Sequence, residues 1–109
     1  MEKEYRQFQK IMKYTFEEYE TKISVVIPVY NAEKYIRQCL ESVLHNQNIS
    51  LEVICVDDAS TDQTPGILKE YQQRYSNVKV IRNKKNIHAG SSRNLGLRQA
   101  RGQYIHFLD

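Results

Sequence analysis

From Lys22 onward, short β-branched apolar runs alternate with stretches in which apolar residues recur every three or four positions. KISVVIPVY, over 22–30, reads as a strand, with Pro28 near its end because proline removes a ladder donor. Tyr35, Ile36, Cys39, Leu40, Val43 and Leu44 then form one helix face, and Asn31 is placed to accept from that helix's exposed first amides. LEVICVD, over 51–57, is a second strand. The helix after it is predicted to open with Thr64 as cap and Pro65 in the first turn, turning Ile67, Leu68, Tyr71 and Tyr75 inward. VKVI over 78–81, a loop over 82–86, a helix near 90–101 and YIHFL over 104–108 complete the series.

Apolar strands separated by helices predict an α/β fold: a mainly parallel sheet in a three-layer sandwich, covered on both faces. Parallel crossovers place all strand carboxyl ends on one edge, where ligands of such sheets bind. Tyr30 and Asn31, Asp57 and Asp58, and Asp109 all fall at strand ends, so residues far apart in sequence are expected to meet. Upstream, Tyr5, Phe8, Met12, Thr15 and Tyr19 form a helical stripe within 4–20. That stripe needs a cover, either the following domain or a second copy of the chain. The division is therefore an amphipathic amino-terminal helix over 1–21 and an α/β unit over 22–109. Because the last strand brings Asp109 to the edge and the sequence stops there, a complete active site is not expected within these residues.

A chain of 109 residues holds one small domain or part of one. Sixteen basic residues against 13 acidic give a net charge of +3, with the signs interspersed, which is too mild to argue for a nucleic-acid partner. Cys39 and Cys55 sit in apolar patterns without metal-ligand spacing and read as buried thiols, in keeping with a reducing compartment. The longest apolar runs are strand-sized, and MEKEYRQFQK has no signal-peptide core.

The chemistry is narrowed first by what the turns lack. PVYNAEKY, after the first strand, has no glycine for a pyrophosphate cradle, and no phosphate-loop pattern occurs. No hydroxyl nucleophile stands with an assigned His and Asp, so a covalent triad is a poor reading. Asp57 and Asp58 can accept from a ring N–H or ribose hydroxyls, but as adjacent carboxylates they need a donor or cation nearby. The bland alternative is that Asp58 and Asp62 cap a helix. Tyr30 can lay its ring against a base or sugar, or simply close the sheet edge. In NKKNIHAGSSRNLGLRQARG, Ser91 or Ser92 can satisfy free amides at a helix start. Arg93 beside that start opposes the helix dipole unless an anion compensates, whereas Lys84, Lys85, Arg98 and Arg101 read as a solvated face. Asp109 can contribute to a hard divalent cation site, which requires further oxygen ligands. His106 reads as packed or surface-facing, and His45 and His88 share no metal-like spacing with it.

Taken in order, ISVVIPVYNAEKYIRQCLESVLHNQ, EVICVDDASTDQTPGIL and NIHAGSSRNLGLRQARGQYIHFLD resemble the amino-terminal, nucleotide-binding half of a family 2 glycosyltransferase with a Rossmann-like GT-A fold, here truncated after its fourth strand. The resemblance covers residues 22–109. It implies inverting transfer of a sugar from a nucleotide-sugar, commonly a UDP-sugar, to the hydroxyl of a glycan or lipid-linked acceptor. By the same resemblance Pro28, Val29 and Tyr30 border the donor nucleoside, Asp57 and Asp58 take its base or ribose, and Arg93 helps hold it. Asp109 matches the first carboxylate of the family's metal motif, which implies Mg²⁺ or Mn²⁺, and the catalytic base is expected downstream. Catalysis on the cytoplasmic side, at the membrane face for a cell-surface polysaccharide, also follows from the resemblance alone. Residues 1–109 by themselves are expected to recognise donor at most. Two competing readings stay open: a nucleotidyltransferase, and a non-enzymatic α/β interaction domain that self-associates through the amino-terminal helix.

Overall fold

The computed structural model describes residues 22–45 and 50–108; the helix expected over 4–20 and Asp109 lie outside the described residues. Strands β1 (Lys22–Val29), β2 (Ser50–Asp57), β3 (Val78–Arg82) and β4 (Tyr104–Phe107) alternate with helices α1 (Ile36–Leu44), α2 (Thr64–Arg74) and α3 (His88–Gln99). The strands form one sheet in the order β3-β2-β1-β4, and every pairing is parallel. The alternation of elements and the parallel sheet are as the hydrophobic pattern predicts.

Ile23, Val25, Ile27 and Val29 of β1 share a core with Val53 and Cys55 of β2, Ile36, Leu40 and Val43 of α1, and Ile67, Leu68 and Tyr71 of α2. On the other face α3 packs against β1 and β2. Burial on both faces is why the strands read as nearly continuous apolar runs. Each fully buried aliphatic side chain contributes about 1.5–3 kcal/mol. The approach of α3 depends on Gly96: a Cβ built there would lie 2.4 Å from Val26 Cγ1 and 3.3 Å from Val56 Cγ2. Burial pushes the Cys39 thiol up to about 11, and it raises Cys55 as well, so both cysteines are inert core thiols.

Pro28 sits in a central strand without breaking a ladder. Val29 accepts from Asp58 N–H on the β2 side, so the alternating Pro28 faces the β4 side. The β4 pairing ends at Val26 and Phe107, short of the missing donor. At the amino end of the sheet, buried Ser24 donates to Glu52 Oε2 (2.6 Å) and accepts from Gly102 N–H (2.8 Å). Arg101 N–H also donates to Glu52 (2.6 Å), so this polar knot anchors the turn that leaves α3.

The helix starts differ from expectation. Neither α1 nor α2 nor α3 has a side-chain cap from the residue at its N-cap. Thr64 is the first residue of α2 rather than its cap, and Asn31 does not cap α1. Helix α3 begins at His88, before the expected position, and neither Ser91 nor Ser92 is its N-cap. Asp62 does cap locally, accepting from Thr64 N–H at 2.9 Å. At α3 the acceptor comes from another loop, Asp58 after β2, and contacts between loops build the edge described next.

Candidate functional site

The loops after β1 and β2 are sewn together. Asn31 N–H donates to Ser60 Oγ (2.9 Å), and Asn31 Oδ1 accepts from Thr61 N–H (2.8 Å). Ala32 N–H donates to Thr64 Oγ1 (2.9 Å), while Gln63 N–H donates to Glu33 Oε2 (3.0 Å). Asn31 and Thr64 therefore satisfy backbone groups across the two loops instead of at their own helices. Among the described residues three non-glycine residues adopt left-handed backbone: Asn31 (φ 46°), Ala59 (φ 63°) and His88 (φ 71°). All three lie on this edge. For Ala59, which has no polar side chain to compensate locally, the conformation costs about 1–2 kcal/mol.

Successive residues of an extended chain point to opposite sides, and Asp57 and Asp58 separate accordingly. Asp57 is fully buried; its Oδ1 accepts from Ser60 N–H at 3.1 Å, and its Oδ2 has no hydrogen-bond partner among the described residues. Asp58 turns toward α3. Its Oδ1 accepts from Asn83 Nδ2 (2.9 Å) and Ile87 N–H (2.8 Å), and its Oδ2 accepts from His88 N–H (2.8 Å). Asp58 thus caps a helix, but one 30 residues downstream of it. A carboxylate at that end also favours the helix dipole. Burial raises its pKa, but the Ile87 amide, the Asn83 side chain, the His88 amide and the His88 charge outweigh that and hold it below the usual carboxylate range.

Tyr30 is 52% exposed at the mouth of this edge, and Pro28 is half-buried behind it. The Val29 side chain belongs to the core, and its carbonyl is occupied by Asp58 N–H (2.8 Å). Arg93 lies in the second turn of α3, half-buried, next to the fully buried Ser92. His106 is buried on β4, as a packed residue should be. Among the described residues no three His, Cys, Asp or Glu side chains converge to hold a metal, and Asp109 falls outside them.

The sheet order reverses at β1: successive strands step outward from β1 to β3, and the chain then crosses to the far side of β1 for β4. In open α/β sheets the crevice at such a reversal is the usual ligand site. Pro28, Tyr30, Asp57 and Asp58 stand at the carboxyl ends of β1 and β2, and Asp58 ties the start of α3, with its Arg93, to the same edge. Sequence reasoning missed Asn83, which it left inside the 82–86 loop. The available signal was a polar residue directly after the third apolar run, as Asp58 follows the second. It also missed Gly96, whose need for close approach has no mark in one sequence.

Comparison with known proteins finds similar sequences and structures along most of the chain. The model for "Glycosyl transferase family 2" matches residues 24–109. Poly(ribitol-phosphate) beta-glucosyltransferase of Bacillus spizizenii is 47% identical over 92 residues, a match spanning 81% of this chain and 14% of that protein. Putative glycosyltransferase EpsH of Bacillus subtilis is 41% identical over 87 residues, spanning 80% of this chain and 25% of that one. Among solved structures, S. aureus TarS 1-349 in complex with UDP-GlcNAc superposes with a TM-score of 0.72 at 41% identity, over 81% of this chain and 26% of that chain. Mannosyltransferase PcManGT from Pyrobaculum calidifontis, in complex with GDP-Man and Mn²⁺, gives 0.74 at 25% identity, over 81% and 27%. The chain therefore spans between one seventh and about a quarter of the length of these relatives.

Proposed function

The chain belongs to glycosyl transferase family 2, with a GT-A fold, and from that premise we propose that the intact protein transfers a sugar from a nucleotide-sugar to an acceptor hydroxyl with inversion. The observation that carries this reading is the convergence of Tyr30, Asp58 and the start of α3 at the point where the strand order reverses. The relative solved with UDP-GlcNAc supports a UDP-sugar as donor.

Each group has a distinct part. An ionised carboxylate offers about four acceptor positions, and three hydrogen bonds already converge on Asp58. The remaining position accepts a ring N–H or ribose hydroxyl. Its depressed pKa keeps it ionised, hence acceptor-only, at neutral pH. Tyr30 offers an exposed ring for the base or sugar, and Pro28 and Val29 beside it in the chain border the nucleoside. Asp57 acts from below by holding Ser60, which in turn accepts from Asn31 N–H. Arg93 supplies positive charge toward the donor's phosphates.

A divalent cation, Mg²⁺ or Mn²⁺, is proposed with Asp109 among its ligands, supported by the Mn²⁺ in the mannosyltransferase relative. The described residues do not by themselves form a metal site. The base that takes the acceptor's proton is expected outside residues 1–109. The acceptor is proposed to be a cell-surface glycan or lipid-linked polymer, in line with the poly(ribitol-phosphate) glucosyltransferase relative. Catalysis is proposed on the cytoplasmic side, where nucleotide-sugars are supplied. No helix among the described residues is long and apolar enough to cross a membrane.

The test is a donor panel on the intact protein, UDP-glucose, UDP-GlcNAc and GDP-mannose, with and without divalent metal, reading nucleoside diphosphate and glycosylated product. Release of nucleoside diphosphate with sugar appearing on an acceptor is the expected result. Pyrophosphate release would instead mean nucleotidyl transfer, and failure to bind any of these donors would refute the reading.

A further inference from the structure

Asn83 occupies a junction that no part of the donor reading has used. Arg82 of β3 pairs with Asp57, and the next residue extends the ladder: Asn83 N–H donates to the Asp57 carbonyl at 2.9 Å. The backbone of Asn83 is therefore fixed to β2 just below Asp58. Its side chain then reaches two elements. Nδ2 lies 2.9 Å from Asp58 Oδ1 and 3.3 Å from Ser92 Oγ, so its two hydrogens are both directed. Ser92 is fully buried on α3 and adjoins Arg93.

We infer that Asn83 is a positioning residue for donor recognition: one amide group sets the orientation of the Asp58 carboxylate and ties it to the α3 turn that bears Arg93. This rests on the donor-site reading given above. The two amides from Ile87 and His88 hold Asp58 along the α3 axis, but both come from one element. Asn83 is the side chain that approaches the carboxylate from β3. Without it Asp58 keeps two backbone donors and the loop keeps its path, while the carboxylate gains freedom to rotate about the α3 start. Orientation of the acceptor that meets the base or ribose is what is lost. A charge-assisted hydrogen bond removed from a preorganised acceptor corresponds to about a tenfold loss of affinity.

The experiment uses the intact protein, with UDP and GDP as probes in titration calorimetry and steady-state transfer as a second readout. Asn83→Ala is expected to raise Kd for the nucleotide that the parent binds by about tenfold, raising donor KM with kcat changed less than about twofold. Asn83→Asp, which keeps the shape but faces Asp58 with a second carboxylate, is expected to bind more weakly than Asn83→Ala. A space-filling role predicts the reverse order. Because the effect passes through Asp58, Asn83→Ala placed on Asp58→Asn is expected to add less than about twofold.

A parent-like Kd for Asn83→Ala, a parent-like Kd for Asn83→Asp, or effects of Asn83 and Asp58 that multiply would overturn the assignment. If Asn83→Ala does not fold, as read by thermal melting, Asn83→Ser is judged by the same criteria. An unsubstituted protein that binds neither UDP nor GDP overturns the donor reading and this inference together. Binding by the parent with an indifferent Asn83 overturns this inference alone.

Discussion

Replacing Gly96 by alanine sets two physical effects of opposite sign against each other, and the structure decides between them. Helix propensity alone favours alanine in a helix interior by about 1 kcal/mol. The added methyl, however, would lie 2.4 Å from Val26 Cγ1 and 3.3 Å from Val56 Cγ2. Carbon atoms pack best at about 3.5–4.0 Å, so the first contact is too close by more than 1 Å. Val26 and Val56 are both fully buried strand residues, and a valine is stiff at χ1, so neither yields easily. Overpacking of this kind costs about 1–3 kcal/mol. After the propensity gain is deducted, a net destabilisation of about 0–2 kcal/mol remains, and the conformational rigidity of the site favours the upper half of that range. Thermal melting of the intact protein is expected to fall by a few degrees, since each kcal/mol corresponds to about 2–4 °C in a domain of 150–250 residues. Val26→Ala removes the clashing Cγ1 and should recover part of the loss when combined with Gly96→Ala, a coupling of about 0.5–3 kcal/mol. A Gly96→Ala protein melting above the parent would refute the close-approach argument and leave propensity as the whole effect. Because α3 bears Ser92 and Arg93, the same substitution is also expected to weaken nucleotide binding.

Three further outcomes follow from the edge and the sheet. Asp58 has a folded pKa below its unfolded value, so its stabilising contribution is fully present above the ordinary Asp range near 3.9 and is lost as pH falls through the depressed folded value. Acid titration of stability in Asp58→Asn should lack that component; an unchanged acid limb would count against Asp58 as the α3 cap. Ala59→Gly should stabilise the protein by about 0.5–1 kcal/mol, the left-handed cost relieved less the extra chain entropy of glycine, and a loss of stability in denaturant titration would contradict the strain argument. Gln72 accepts from Val80 N–H at 2.8 Å on the outer side of β3. Gln72→Ala should therefore accelerate hydrogen exchange at Val80 and cost about 0.5–1 kcal/mol; exchange at the parental rate would show that the side chain does not protect this edge.

Period and punctuation in the sequence determined the elements. Runs such as VVIPV and EVICV can satisfy both faces only when covered by helices, and the alternation of runs and helical stripes requires parallel pairing with strand ends on one edge. That is why Tyr30, Asp57 and Asp58 are identifiable as edge residues from the sequence, and why the ordered motifs resemble those of a nucleotide-sugar enzyme. Tertiary structure alone decided the pairing of polar groups across that edge. Local rules assign Asn31, Thr64 and Ser92 to the nearest helix, because sequence neighbours are the only partners a sequence displays. In the folded chain Asn31 serves the β2 loop, Thr64 serves the β1 loop and Asp58 caps α3. The same holds for Gly96, whose role is set by Val26 and Val56, side chains 70 and 40 positions upstream. Hydrophobic burial is non-directional and leaves a periodic trace along the chain. Hydrogen bonds between loops depend on distances and angles that exist only once the sheet has brought the strand ends together.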